Sequence, residues 1–137
     1  MNGRNFPAGA VVVKDGEVIS SEISSPYPGL FHADSKAVST AFQKSGVQKG
    51  AILYVGLEPC LMCTSVAYWA GIRRIVFAIP KSNVSSNYYE THNDTHNVVA
   101  AFNEYMNIVH LKSLEPEVLE VVRKWENNHS TDLSSVI

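Results

Sequence analysis

The stretch AILYVGLEPCLMCTSVAYWAG, residues 51–71, decides the fold. Ala51 to Val55 is a short apolar run containing Tyr and Val, long enough for a buried strand and too short for a helix. Cys60 to Ala70 reads as a helix with Gly71 as its C-cap, and Arg74 to Ile79 as a further buried strand ending at Pro80. Strand, helix and strand in that order predict parallel strands joined by a crossover helix. The turn out of the first strand delivers Cys60 and Cys63. Three apart on a helix, their side chains lie on one face one turn apart, and the positive end of the helix dipole favours their thiolates.

Working outward, His32-Ala33-Asp34 opens a second helix of this kind, with Ala33, Ala37, Val38, Ala41 and Phe42 at helical spacings and Gly46 placed to end it. Upstream of it, residues 9 to 13 are small or β-branched and apolar, Lys14-Asp15-Gly16 is a turn signal, and Val18-Ile19 continues an extended pattern to about Ile23. That predicts an antiparallel hairpin. Ser24 to Gly29 contains two prolines and a glycine, cannot continue a ladder, and reads as the surface loop that delivers His32.

Downstream, Lys81 to Asp94 is polar and irregular, long enough to be a functional loop over the site. Asp94 or Thr95 caps a third helix running to about Tyr105, Ile108 to Leu111 forms a fifth strand, and Pro116 to Trp125 a last helix. The tail from Asn127 is rich in Ser, Asn, Thr and Asp, and is expected to be mobile. The expected architecture is one catalytic domain over residues 1–127 and a flexible polar tail over 128–137. Its fold is a three-layer α/β/α sandwich whose five-stranded mixed sheet begins with an antiparallel hairpin.

Composition narrows the function. At 137 residues the chain suits a single core, and its formal net charge of −2 leaves no global electrostatic footprint for nucleic acid. Small-molecule substrates therefore gain weight over polynucleotides. Met1-Asn2-Gly3-Arg4 leads into a strand-like run rather than a signal-peptide core, and no apolar run approaches transmembrane length, so no membrane partner and a cytoplasmic location are expected. The two cysteines both lie in the motif, too close for an ordinary structural bridge and better used as reduced ligands.

His, Cys and Cys suit a zinc ion, and three protein ligands leave a fourth tetrahedral position for a reactive water. A thioredoxin-like redox motif is the reading from another class, because a Cys-x-x-Cys after a strand and opening a helix also serves that chemistry. Zinc nucleobase deaminases carry H-x-E…P-C-x-x-C. This chain has H-A-D…P-C-L-M-C.

With Pro7 to Val13 and Asp15-Gly16, Leu53 to Pro59, and Tyr68-Trp69-Ala70-Gly71-Ile72, residues 6 to 80 resemble the cytidine and deoxycytidylate deaminase superfamily. Within it, the bacterial nucleobase, nucleoside and tRNA-adenosine deaminases look most similar. The resemblance implies a cytidine deaminase-like fold, Zn2+ as cofactor, His32, Cys60 and Cys63 as its ligands, and hydrolytic deamination of a purine or pyrimidine base or nucleoside. In that chemistry a zinc-bound hydroxide attacks the amino-bearing ring carbon, and a carboxylate that is not a ligand shuttles protons. Asp34 holds that carboxylate's place. A tRNA-adenosine deaminase and a catalytically weak zinc-binding relative are the neighbouring readings.

The chain departs from the family pattern at three points. Asp34 is one carbon–carbon bond shorter than the family's Glu, about 1.5 Å of reach. Ser24-Ser25 stand where relatives tend to carry an Asn that holds the base, and Met1 falls close to the first strand, where many relatives place a helix. One sheet face would then need cover, which predicts a homodimer. Phe6, Ser24, Ala33 and Tyr89 flank the site in sequence and are the candidate substrate contacts. The bland alternatives are core or surface roles for the aromatics and a helix-start carboxylate for Asp34. His92 and His96 share a helical spacing but read as solvated polar residues, and His110 reads as a strand residue in polar surroundings.

Overall fold

Asp15 and Gly16 both take positive φ, 53° and 78°, the backbone of a two-residue hairpin turn that Asp-Gly adopts readily. They join β1, Gly9–Lys14, to β2, Glu17–Ile23, in an antiparallel pair whose register shifts between Val12 and Val13. The computed structural model describes residues 9–23, 32–91, 95–117, 120 and 123–124. Three more strands complete the sheet: β3 at Ile52–Leu57, β4 at Arg74–Ile79 and β5 at Asn107–His110. Their order is β2-β1-β3-β4-β5, with β1 antiparallel to both neighbours and β3, β4 and β5 parallel. The predicted five-stranded mixed sheet with an antiparallel first hairpin is therefore present.

The crossovers are helical. Helix α1 spans Ala33–Ser45 between β2 and β3, and α2 spans Leu61–Ala70 between β3 and β4. Alternate residues Ala10, Val12, Leu53, Val55, Ile75, Phe77 and Ile108 form a buried core with Ala37, Val38 and Ala41 of α1 and Ala67 and Ala70 of α2. The small α1 and α2 residues let both helices sit close to the sheet and to each other. Ser20 of β2 fixes α1 further, its hydroxyl donating to the Ala37 carbonyl at 2.6 Å within the core. Lys36 and Lys44 reach from α1 to the carbonyls of Ile23 and Ile19 at 2.9 and 3.0 Å. Both acceptors belong to β2, the edge strand.

Several boundaries differ from the sequence reading. β3 runs on to Leu57, held in register with Ile79. Helix α3 covers only Thr95–Ala100 and stops short of Tyr105, because Phe102 turns back to pack edge-on against Tyr68 with ring centroids 4.8 Å apart. β5 begins one residue earlier than expected, at Asn107, whose N–H bonds the Arg73 carbonyl at 2.8 Å. The irregular stretch after β4 contains two 3-10 turns, Lys81–Asn83 and Ser86–Tyr88. The last helix begins over residues 115–117. Of the helix expected over 116–125, residues 116, 117, 120, 123 and 124 are described and helical, and the rest lies outside the described residues, as do the tail, His92, His129, Phe6 and Ser24.

Candidate active site

The site lies at the carboxyl ends of the parallel strands, where open α/β sheets place their ligands. β3 ends at Leu57, and Glu58-Pro59 carries the chain into Cys60, the N-cap of α2, whose ψ of 171° is extended. His32 is the N-cap of α1 and is likewise extended, with ψ 159°. Since α1 and α2 pack side by side, their first residues converge. His32 Nδ1 lies 3.4 Å from Cys60 Sγ and 3.5 Å from Cys63 Sγ.

Those distances test the fit of a metal. Tetrahedral zinc with Zn–N of about 2.05 Å and Zn–S of about 2.3 Å sets nitrogen and sulfur about 3.6 Å apart. The three donors meet that requirement. Among the described residues they are the only group of three or more such side chains gathered closely enough to hold an ion.

The sulfurs are inequivalent. Hydrogen bonding from Cys63 pulls the Cys60 thiol down to about 6 against the opposing effect of burial, and the His32 contact helps. The same shared bond pushes Cys63 up, reinforced by burial and by the nearby Asp34 and Cys60 charges. The Cys63 N–H also points at Cys60 Sγ, at 3.5 Å. Thr64 closes the first turn of α2, its hydroxyl donating to the Cys60 carbonyl at 2.8 Å.

Asp34 is buried beside the cluster. Its carboxyl accepts from the Ser35 N–H at 3.2 Å. Burial is the dominant influence and raises its pKa, opposed by Cys63 and by His32.

Of the expected substrate contacts, Ala33 is the first residue of α1 and is buried in the core. Tyr89 comes to the site from the stretch after β4. Its hydroxyl donates to the Glu58 carbonyl at 2.6 Å, and Lys81 Nζ lies 5.3 Å from its ring. Burial, then the charges of Glu58, Asp34, Cys60 and Cys63, push its phenol up. His96 is exposed, whereas His110 stacks on Phe77 and its Nε2 meets the Ala78 carbonyl at 3.0 Å and Glu115 at 3.1 Å.

Sequence reasoning missed two glutamates. Glu58 Oε1 accepts from the Lys81 N–H at 3.0 Å, and the Glu90 carboxylate accepts from the N–H groups of Leu61 and Met62 at 3.0 and 3.4 Å. No local pattern signals Glu90, which lies 29 residues beyond the first of these partners.

Residues 1–79 match the family model of the cytidine and deoxycytidylate deaminase zinc-binding region. The chain belongs to this deaminase family. A tRNA-specific adenosine deaminase of Aquifex aeolicus is 34% identical over 80 residues, covering 53% of this chain and 51% of that protein. A guanine deaminase of Bacillus subtilis is 34% identical over 81 residues, covering 56% and 52%. The chain thus spans about half the length of these curated relatives. Among solved structures, a diaminohydroxyphosphoribosylaminopyrimidine deaminase/reductase of Thermotoga maritima superposes with TM-score 0.71 at 30% identity, over 90% of this chain and 35% of that one.

Membership in the deaminase family confirms the cytidine deaminase fold and sets aside the thioredoxin-like reading of Cys60 and Cys63. The family's zinc-binding region and the His/Cys/Cys cluster together make Zn2+ the cofactor. No helix among the described residues is long and apolar enough to cross a membrane.

Proposed function

We propose that the chain hydrolytically deaminates a purine or pyrimidine base or nucleoside, with His32, Cys60 and Cys63 holding zinc and Asp34 moving the protons. The observation that carries this reading is the buried Asp34 carboxyl set against a three-donor cluster of zinc dimensions. When bound, zinc supplies a Lewis acid that brings the pKa of water towards 7.

The residues divide the work. Asp34 accepts a proton from the attacking water and passes it to the ring nitrogen beside the amino-bearing carbon. As the carbon–nitrogen bond breaks, the other water proton goes through the same carboxylate to the departing amine, which leaves as ammonia while the ring carbon becomes a carbonyl. In this reading Tyr89, whose hydroxyl donates to the Glu58 carbonyl, is a candidate for stacking on the base. Ala33, Phe6 and Ser24 complete the proposed substrate contacts. The reading places the protein in the cytoplasm, where both cysteines stay reduced.

The similarity to the Aquifex aeolicus tRNA-specific adenosine deaminase favours a second reading, deamination of adenosine in tRNA. A net charge of −2 counts against tight tRNA binding, which needs clustered Lys and Arg. One experiment addresses both: ammonia release from a panel of free bases, nucleosides and amino-heterocycles, beside a titration with tRNA at moderate salt. Turnover on a free base or nucleoside is expected, with weak, salt-sensitive tRNA binding. Tight binding to a defined anticodon stem-loop would promote the second reading, and zinc uptake without any turnover would mark a catalytically weak relative.

A further inference from the structure

Helix α2 begins with orphan backbone donors, as every helix does, but here their partners come from two places. The Cys63 N–H turns to Cys60 Sγ at 3.5 Å, and the Thr64 N–H closes the first helical bond on the Cys60 carbonyl at 3.0 Å. The two outermost donors, Leu61 N–H and Met62 N–H, are taken by the Glu90 carboxylate. At the start of α1 the N-cap His32 makes no side-chain capping bond.

The contact is reciprocal. Glu58, just before the cysteine motif, accepts from the Lys81 N–H, while Glu90, at the far end of the same stretch, accepts from the start of α2. The Tyr89 hydroxyl adds a fourth bond, to the Glu58 carbonyl. Residues 81–90 are therefore tied at both ends to the segment that carries Cys60 and Cys63. Glu90 stays exposed while it bonds both amides, its carboxylate set at the positive end of the α2 dipole. Among the described residues, Cys60 Sγ has one backbone donor, the Cys63 N–H.

We propose that Glu90 is a positioning residue for the metal, clamping the first turn of α2 so that the Cys60 and Cys63 sulfurs stay at ligand spacing. The inference rests on the zinc-ligand reading given above. Partners one shell beyond the ligands typically contribute 10–100-fold to metal affinity, and Glu90 acts through the ligand-bearing backbone.

The test compares zinc-loaded wild type, Glu90→Ala and Glu90→Gln. Zinc transfer to a chromophoric chelator is timed, amide hydrogen exchange is followed at Leu61 and Met62, and the visible spectrum of the Co2+-substituted proteins reports thiolate geometry. Glu90→Ala should release zinc roughly 10–100-fold faster and shift the Co2+ bands, with faster exchange at both amides. Glu90→Gln, which keeps one acceptor, should fall between. Release within about twofold of wild type would overturn the proposal, as would faster release without any change at the two amides. A wild type that takes up no zinc would instead fail the ligand reading beneath it.

Discussion

In the proposed function Asp34 is the residue on which turnover would depend, because it alone beside the cluster has no part in holding the ion. Asp34→Ala should keep zinc and fold yet lose about 10²–10⁴-fold in turnover, the range of general acid–base contributions. Asp34→Glu tests the backbone: it raises the rate if the peptide lies where longer-armed relatives have it, and lowers it if the site has closed inward around the shorter acid. Ammonia release and zinc content measured on the three proteins decide between these. Equal rates with zinc intact would leave Asp34 a helix-start carboxylate. His32, Cys60 and Cys63 were readable in the sequence as a gathering of donors because the signal is local, one donor type at a helix start and two donors one turn apart. Glu58 and Glu90 were not, since their partners lie 23 to 29 residues away and depend on how the chain folds back after β4.

At the scale of elements, the strands and both crossover helices followed from periodicity, and α3 did not. Its boundary is set by Phe102 docking on Tyr68, a tertiary contact that no local pattern displays. The end of α2 is stricter. Gly71 has φ +98°, and a Cβ there would lie 2.7 Å from Val47 Cγ1 and 3.3 Å from the Gln48 backbone nitrogen. Val47 is exposed and can swing aside, whereas the peptide of Gln48 is pinned by its own bond to the Ala70 carbonyl at 2.7 Å. Gly71→Ala should therefore cost about 1–3 kcal/mol, the usual strain of a residue forced into this backbone region. Urea unfolding of the variant beside wild type measures it; an unchanged midpoint would mean that the turn relaxes freely.

For the whole molecule, a zinc ion held as proposed by His32, Cys60 and Cys63 would join the starts of two helices as well as serve chemistry. Elemental analysis should give about one zinc per chain, and stripping by a chelator should lower the unfolding temperature, since an ion at a hundredfold excess over its Kd contributes about 2.7 kcal/mol. A melting curve indifferent to the chelator would dissociate zinc from the fold. We also expect a homodimer. Trp69, on α2, is 82% exposed and Tyr105 is 81% exposed, and large aromatics of this kind are enriched at protein interfaces. Sedimentation equilibrium at micromolar concentration checks the assembly, and Trp69→Ala should weaken it; a wild-type monomer would remove the partner subunit from the account. The two lysines that reach from α1 to the β2 carbonyls carry a colloidal consequence. A sheet edge with free acceptors is a template for another chain's strand, and here Ile19 and Ile23 present theirs to ammonium groups instead. Replacing Lys36 and Lys44 together by Met would keep the aliphatic stems and bare the carbonyls, so the variant should scatter progressively more light on storage while melting at the wild-type temperature.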